Sequence, residues 1–271
     1  MQQAAHSLPR PGFLLPAAGL WHREVVRFLR QRNRVAGALL TPVVFWLLLG
    51  AGFGSSFRGA GDDAYLSYFF PGTLVLVVFF TAIYSTISII EDRKEGFLQS
   101  VLVAPIPRAS LVAGKVLGGT TVAVIQALLF LLLAPTAGIR LNVASVMATA
   151  GMLALVALGL TALGFLLAWR MESTQGFHVI MNLVLMPLWL LSGALFPASG
   201  AAGWLSWVMV FNPLTYAVAA VRRCLGLGWV LEAPAGLPSL ALSSGVTLFF
   251  ALLTFVACTV LAGRRPSEGG A

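Results

Sequence analysis

EDRKEGFLQSVLVAPIPRASLVAGK, residues 91–115, packs a dense charge cluster between two runs, 64–90 and 116–139, that contain no Asp, Glu, Lys or Arg. About twenty apolar residues cross the hydrocarbon core of a bilayer, and each flanking run is at least that long. The charged stretch therefore reads as a connection between two transmembrane spans, and the chain as an all-α integral membrane protein. Working outward, further uncharged windows cover residues 35–57, 141–169, 173–221 and 233–263. The composition agrees: 59% of residues are hydrophobic, 10% are charged, and the mean hydropathy is +0.92, far from the balance of soluble domains.

Each window predicts one span except the long fifth one. There VIMNLVLMPLWLLSGALF, Val179 to Phe196, spans, whereas Pro197, Gly200, Gly203 and the pair Asn212, Pro213 cut the remainder into pieces of about half a bilayer. Irregular backbone at membrane depth persists only where protein or a cavity surrounds it, so residues 198–221 are expected to form a re-entrant hairpin on the external side. Six spans result. With the N-terminus inside, Arg10, Arg23, Arg27, Arg30, Arg32, Arg34, Arg93, Lys94, Arg108, Lys115, Arg170, Arg264 and Arg265 fall on the cytoplasmic face against Arg58, Arg140, Arg222 and Arg223 outside. This bias is the positive-inside pattern and places both termini in the cytoplasm. Before the first span, LWHREVVRFLRQRNR, Leu20 to Arg34, sets Trp21, Val25, Phe28 and Leu29 opposite Arg23, Arg27, Arg30 and Arg34. That pattern predicts an interfacial helix with its arginines toward lipid headgroups. The organisation is a single transmembrane domain over 1–271: a cytoplasmic tail 1–19 rich in proline, the interfacial helix 20–34, a six-helix bundle 35–263 and a second tail 264–271.

Several function classes are excluded by what the residues can do. A net charge of +8 is spread over short segments flanking the spans, so nucleic-acid binding is not expected. Cys224 and Cys258 cannot build a disulfide framework. His6, His22 and His178 are scattered, and no span holds a central carboxylate; metal or acid-base catalysis and ion-coupled transport lack their usual groups. Gly114 and Lys115 form a GK pair, but Ala109 stands where the first glycine of a nucleotide-binding loop belongs. The chain is not expected to be an enzyme or to hold a cofactor. Any energy comes from another chain, and a partner would dock on the apolar segment Phe97 to Ala104, whose Phe97, Leu98, Val101 and Leu102 are expected to be exposed on the cytoplasmic side.

Three ordered motifs carry a family resemblance. Glu95-Gly96 followed by LQSVLVAPIPR and AGK, then LSGALFP at Leu191 to Pro197, then FNPLTYAVAAVR at Phe211 to Arg222, together resemble ATP-binding-cassette type 2 exporter permeases. That group contains drug, antibiotic, polysaccharide and lipo-oligosaccharide exporters. The likeness covers nearly the whole chain; Phe97 departs from it, standing where the family more often has threonine. The resemblance implies a plasma (inner) membrane subunit of a prokaryote that pairs with a second permease, most simply in a homodimer, and with two ATPase (nucleotide-binding) subunits that bind ATP and Mg. It implies that the coupling helix between spans two and three seats Glu95, Gly96, Phe97, Leu98, Val101, Leu102, Pro105 and Arg108 against the ATPase. The external re-entrant segment maps to Pro197, Asn212, Pro213 and Tyr216. In relatives with this layout the second and fifth spans line a cavity, which maps to Thr81, Tyr84, Ser85 and Ser88 with Asn182, Met186 and Trp189.

Hydroxyls also glue helices together in membranes, so the stripe Thr81 to Ser88 is equally a packing face. Gln126 and the pairs Gly50, Gly54 and Gly114, Gly118 are read as packing devices. A lining of hydroxyl, amide, thioether and indole groups without fixed charge suits amphipathic or apolar cargo. The leading expectation is an exporter permease; a cargo-less membrane scaffold docking a cytoplasmic partner is the alternative from another class, and a secondary carrier a third.

Overall fold

The computed structural model describes residues 12–54, 64–196, 202–226 and 237–263. It is helical, with no strand among the described residues. The order is α1 (Leu14–Arg30), α2 (Arg32–Gly54), α3 (Ala64–Lys94), the short α4 (Phe97–Val103), α5 (Arg108–Leu131), α6 (Val143–Trp169), α7 (Thr174–Ala194), α8 (Gly203–Phe211), α9 (Pro213–Leu225) and α10 (Leu240–Gly263). Six of these, α2, α3, α5, α6, α7 and α10, are long and apolar enough to cross a membrane. They coincide with the six windows expected from the sequence.

The bundle is built around α3. Of its most apolar stretch 94% is buried, against 22% for α2 and 28% for α10, and it packs on α2, α5 and α6. Its side chains Phe69, Phe70, Leu74, Phe79, Ile83 and Ile90 are sealed inside the protein, whereas α2 and α10 offer Leu40, Leu47, Leu48, Phe249, Leu252 and Val256 outward. A helix apolar all round is stable only with protein or lipid on every side. The sequence order thus sorts into one protein-covered axis and outer helices with a lipid-facing side.

Two local features differ from the expected ones. The segment read as an irregular tail is already helical from Leu14, and α1 stops at Arg30; Gln31 leaves the helical region, and Arg32 to Arg34 open α2. The face that α1 buries is also rotated from the expected stripe. Ala17, Leu20, Glu24 and Phe28 are buried, while Trp21 and Leu29 are exposed. They are buried because α1 lies along α5, where Gly114 and Gly118 remove the side chains that would hold it off. A Cβ at Gly114 would stand 2.5 Å from Leu20 Cβ, and one at Gly118 2.6 Å from Glu24 Cβ. The glycine pair read as a packing device therefore seats α1.

The fifth span is irregular and kinked where Leu191 and Gly193 leave the helical region. Wide π-type turns occupy Met181–Leu185 and Leu190–Ala194 on either side of Pro187, and Gly193 takes a left-handed φ of 78°. Beyond it α8 and α9 meet at Asn212 with a bend of 81°. Pro197 and the turn that would enter the hairpin lie outside the described residues, as do the tails 1–11 and 264–271.

Candidate functional site

The short helix α4 and the charged residues beside it form the most concentrated polar assembly among the described residues. Gly96 adopts φ 77°, a conformation that only glycine takes freely, and so turns the chain sharply from the end of α3 into α4. Pro105 and Pro107 stop α4 and lead into α5. The helix does not display its apolar face as expected. Leu98 is buried against Leu20 of α1 and Leu111 of α5, with Phe97, Val101, Leu102 and Trp169 packed around them. The outward residues are Gln99, Ser100 and Val103, the last 85% exposed. The reason is local: α1 and α5 supply a small apolar pocket at this end of the bundle, so the side chains expected to need a partner find one within the chain.

Behind α4 lies a joint of eight charged side chains. Lys115 of α5 donates to Glu24 Oε1 at 2.6 Å, to Ser88 Oγ at 3.3 Å and to Asp92 Oδ2. Ser88 passes its own hydrogen to Glu24 Oε2 at 2.6 Å. Arg23 grips Asp92 with both guanidinium nitrogens, at 2.7 and 3.0 Å. Arg27 bridges Asp92 and Glu91, reaching Glu91 Oε2 at 2.9 Å, and lies 3.6 Å from Glu95. Arg34 closes the set on Glu91. The side chains of Asp92, Lys115 and Glu24 are 0%, 3% and 7% exposed. Donation to the Asp92 carboxylate, ahead of the coulombic pull of Asp92, Glu24 and Glu95, holds the Arg23 guanidinium above its ordinary value against the cost of burial. The same guanidinium lies 3.7 Å above the Phe97 ring, a stacked cation that threonine could not provide.

Thus α1, α3 and α5 meet in charge pairs directly over the root of α4. Two further arginines tie this end together. Arg93 donates to the Met171 carbonyl at 2.9 Å and to that of Trp169, and Arg108 donates to Ala262 O at 2.8 Å. Removing one member of a buried pair strands its partner, which is costly; the joint therefore moves as a unit or reorganises as one.

The expected cavity residues divide in two. Thr81, Ser85, Ser88 and Trp189 are buried; Ser85 and Ser88 border a small cleft that Glu24, Arg27 and Gln31 also line. Thr81 donates to Gln126 Oε1, Ser85 to Ala82 O, Ser88 to Glu24, and Trp189 Nε1 to Gly72 O at 3.0 Å. These hydrogen bonds are what the packing reading of the hydroxyl stripe expects within one chain. Asn182 is exposed, and Tyr84 and Met186 are partly so. Tyr84 meets His178 edge-on with ring centres 6.0 Å apart, beside a cavity of about 360 Å³ that Asn33, Arg34, Glu91 and Thr174 also border. A cavity wholly without charge was expected; this one has Arg34 and Glu91 at its rim.

At the opposite end, Asn212 accepts from Leu214 N at 3.0 Å and donates to the carbonyls of Leu188 and Leu191. Pro213 opens α9, and Tyr216 donates to Val210 O at 3.0 Å across the bend. Arg222, expected on the external face, is buried; it donates to Tyr68 O at 3.0 Å and covers the Tyr68 ring at 4.1 Å.

The sequence pattern did not pair Glu24, Asp92 and Lys115, and the charged stretch read only as a connection between two spans. One signal was available: Glu24 stands one helical turn before Phe28, on the face that α1 buries, and an acid there demands a cation.

The model of the family described as ABC-2 type transporter matches residues 18–225. The chain belongs to the ABC-2 type transporter family. The matched range runs from α1 through the end of α9 and so includes α4 and the charged joint. Among its relatives, the daunorubicin resistance ABC transporter permease protein DrrB1 of Streptomyces coeruleorubidus is 26% identical over 80% of this chain and 80% of its own length. Nodulation protein J of Rhizobium leguminosarum bv. viciae is 24% identical over 93% of this chain and 97% of its own. The inner membrane transport permease YadH of Escherichia coli K12 is 22% identical over 90% and 93%. The protein is accordingly a multi-pass membrane protein and a transporter permease.

Proposed function

We propose that this permease is the membrane subunit of an ATP-driven exporter, drawing its energy from two separate ATPase chains that bind ATP and Mg, and acting as a pair with a second copy of itself. It sits in the plasma (inner) membrane of a prokaryote with both termini in the cytoplasm, α1 along the inner interface and α8 with α9 as the external re-entrant hairpin. The cargo is amphipathic or apolar and passes between spans where Tyr84, Asn182 and Met186 remain accessible.

The observation that carries this reading is the seating of α4. Its outer surface, Gln99, Ser100 and Val103, is free for a partner, while its inner surface rests on α1 and α5 and its root is pinned by Arg23 over Phe97. A push on the outer side reaches three helices at once through the joint of Glu24, Asp92 and Lys115. A rigid lever is what a change of shape in an ATPase needs in order to work on the spans. Since Val103, not Leu102, is the apolar residue turned outward, Val103→Asp tests the docking without disturbing the core. Copurified with its ATPase and reconstituted in vesicles, this variant is expected to lose cargo-stimulated ATP hydrolysis by roughly tenfold, as expected when a charge enters an apolar contact, while its thermal stability stays that of the wild type. Unchanged stimulation would remove α4 from the coupling path.

A further inference from the structure

We propose that the cleft between α6, α7 and α10 is a binding site for an anionic phospholipid, with an acyl chain in the cleft and the phosphate on Arg170. The cleft has a volume of about 670 Å³ and is lined by Leu166, Ile180, Leu253, Val256 and Val260 with Arg170 at its edge. That is within the range of roughly 300–1,000 Å³ of small-molecule sites. It opens sideways: Leu253, Val256 and Val260 are each more than half exposed, on a helix that spans the membrane, so lipid tails are what surrounds it.

Arg170 gives the occupant its charge. The guanidinium has no ion pair or hydrogen bond to any described residue, unlike Arg23, Arg27, Arg34, Arg93 and Arg222. Its backbone, however, is fixed. Arg93 binds the carbonyls of Trp169 and Met171, the residues on either side, so the fold holds Arg170 at the end of α6 without using its side chain. The cleft lies at the end of the bundle that carries α4. Basic groups between spans at the cytoplasmic side, above an apolar slot, match a lipid phosphate above its chain, and guanidinium binds phosphate oxygens through two parallel hydrogen bonds.

Native mass spectrometry tests this on the purified full chain, incubated with phosphatidylglycerol or with phosphatidylcholine of the same acyl chains. The wild type is expected to retain phosphatidylglycerol in preference. Arg170→Gln is expected to lower its retention roughly tenfold, to the level of phosphatidylcholine, as the loss of a charged hydrogen bond implies, and Arg170→Lys to keep most of it. Val256→Trp, which fills the cleft from its exposed side, is expected to reduce both lipids. Arg140→Gln, at an exposed arginine before α6, is expected to change neither. Equal retention of the two lipids by the wild type, or undiminished phosphatidylglycerol on Arg170→Gln, overturns the proposal. So does a Val256→Trp variant that loses a dimer while keeping its lipid, since the cleft would then be covered by a second copy.

Discussion

The two ends of α3 solve the same problem with opposite chemistry. Tyr68 and Asp92 lie about 36 Å apart along that helix, and each anchors a buried cation. At the Asp92 end, Lys115, Arg23 and Arg27 are met by carboxylates from α1 and α3. At the Tyr68 end, Arg222 is met by a backbone carbonyl and a ring, and its Nε has no partner; the neighbouring irregular turns of α7 are held by neutral donors, with Tyr68 giving its hydroxyl hydrogen to Gly193 O at 3.1 Å. Ion pairs between separate helices can break and re-form as units, whereas carbonyl and hydroxyl contacts to a single backbone fix one geometry. The proposed coupling through α4 draws on this difference: it needs an end that can re-pair as a unit and a far end that holds its shape.

The contrast predicts very different costs for removing its two cations. Lys115→Met leaves Glu24 and Asp92 buried with a charge uncompensated and is expected to lower stability by about 3–5 kcal/mol. Arg222→Met strands no acid; it gives up one hydrogen bond and a ring contact but also the desolvation of an incompletely paired cation, and is expected to cost no more than about 1–2 kcal/mol. Unfolding of the purified variants in detergent, followed by denaturant titration, compares them directly. Adding Glu24→Gln to Lys115→Met is expected to restore part of the loss, since Asp92 keeps Arg23 and Arg27. Equal losses at both ends would erase the distinction.

That distinction was only half visible in the sequence. Spans were legible because apolar length is a one-dimensional signal, and the windows 64–90 and 141–169 became α3 and α6 nearly residue for residue. The break at Asn212-Pro213 was legible for the same reason, as a local cap and a missing donor. The charged joint was not. Glu24 and Lys115 are 91 residues apart, and their pairing depends on α1 lying in a groove that the sequence shows only as two glycines. The apolar face of α4 was misjudged similarly: Leu98 looked unpartnered because its partners, Leu20 and Leu111, belong to helices whose approach no periodicity encodes. Hydroxyls such as Thr81 fit a packing face and a lining face equally well until Gln126 is placed opposite.

The groove itself offers the next test. Gly118→Val puts branched carbons where Glu24 Cβ already stands, so α1 must shift by the width of a side chain. Overpacking of this kind costs about 1–3 kcal/mol, less than stranding a charge. It should nonetheless pull Glu24 from Lys115 and, on the proposed coupling through α4, lower cargo-stimulated ATP hydrolysis. A disulfide between cysteines introduced at Leu20 and Leu111, which meet in one apolar cluster, would form readily in the parent and slowly in Gly118→Val. If it forms equally fast in both, α1 does not depend on the glycine groove.

The smallest effect separates two jobs that one residue performs at the rigid end. Asn212 Oδ1 caps α9 by accepting from Leu214 N, while Nδ2 donates to the Leu188 and Leu191 carbonyls at the irregular turn of α7. Asn212→Ala removes both and is expected to cost about 1–2 kcal/mol. Asn212→Asp keeps the acceptor and is as good a cap, but it has no hydrogen to give and turns a carboxylate toward two carbonyl oxygens. If capping is the main service, Asp is nearly neutral; if holding the α7 turn is, Asp costs at least as much as Ala. The buried position of Asn212 and the two carbonyls on its amide favour the second result, because an acceptor facing acceptors has no water to relieve it. Thermal unfolding of the two variants side by side reads the order, and Asp above Ala in stability would make the far end a capped helix rather than a clasp on α7.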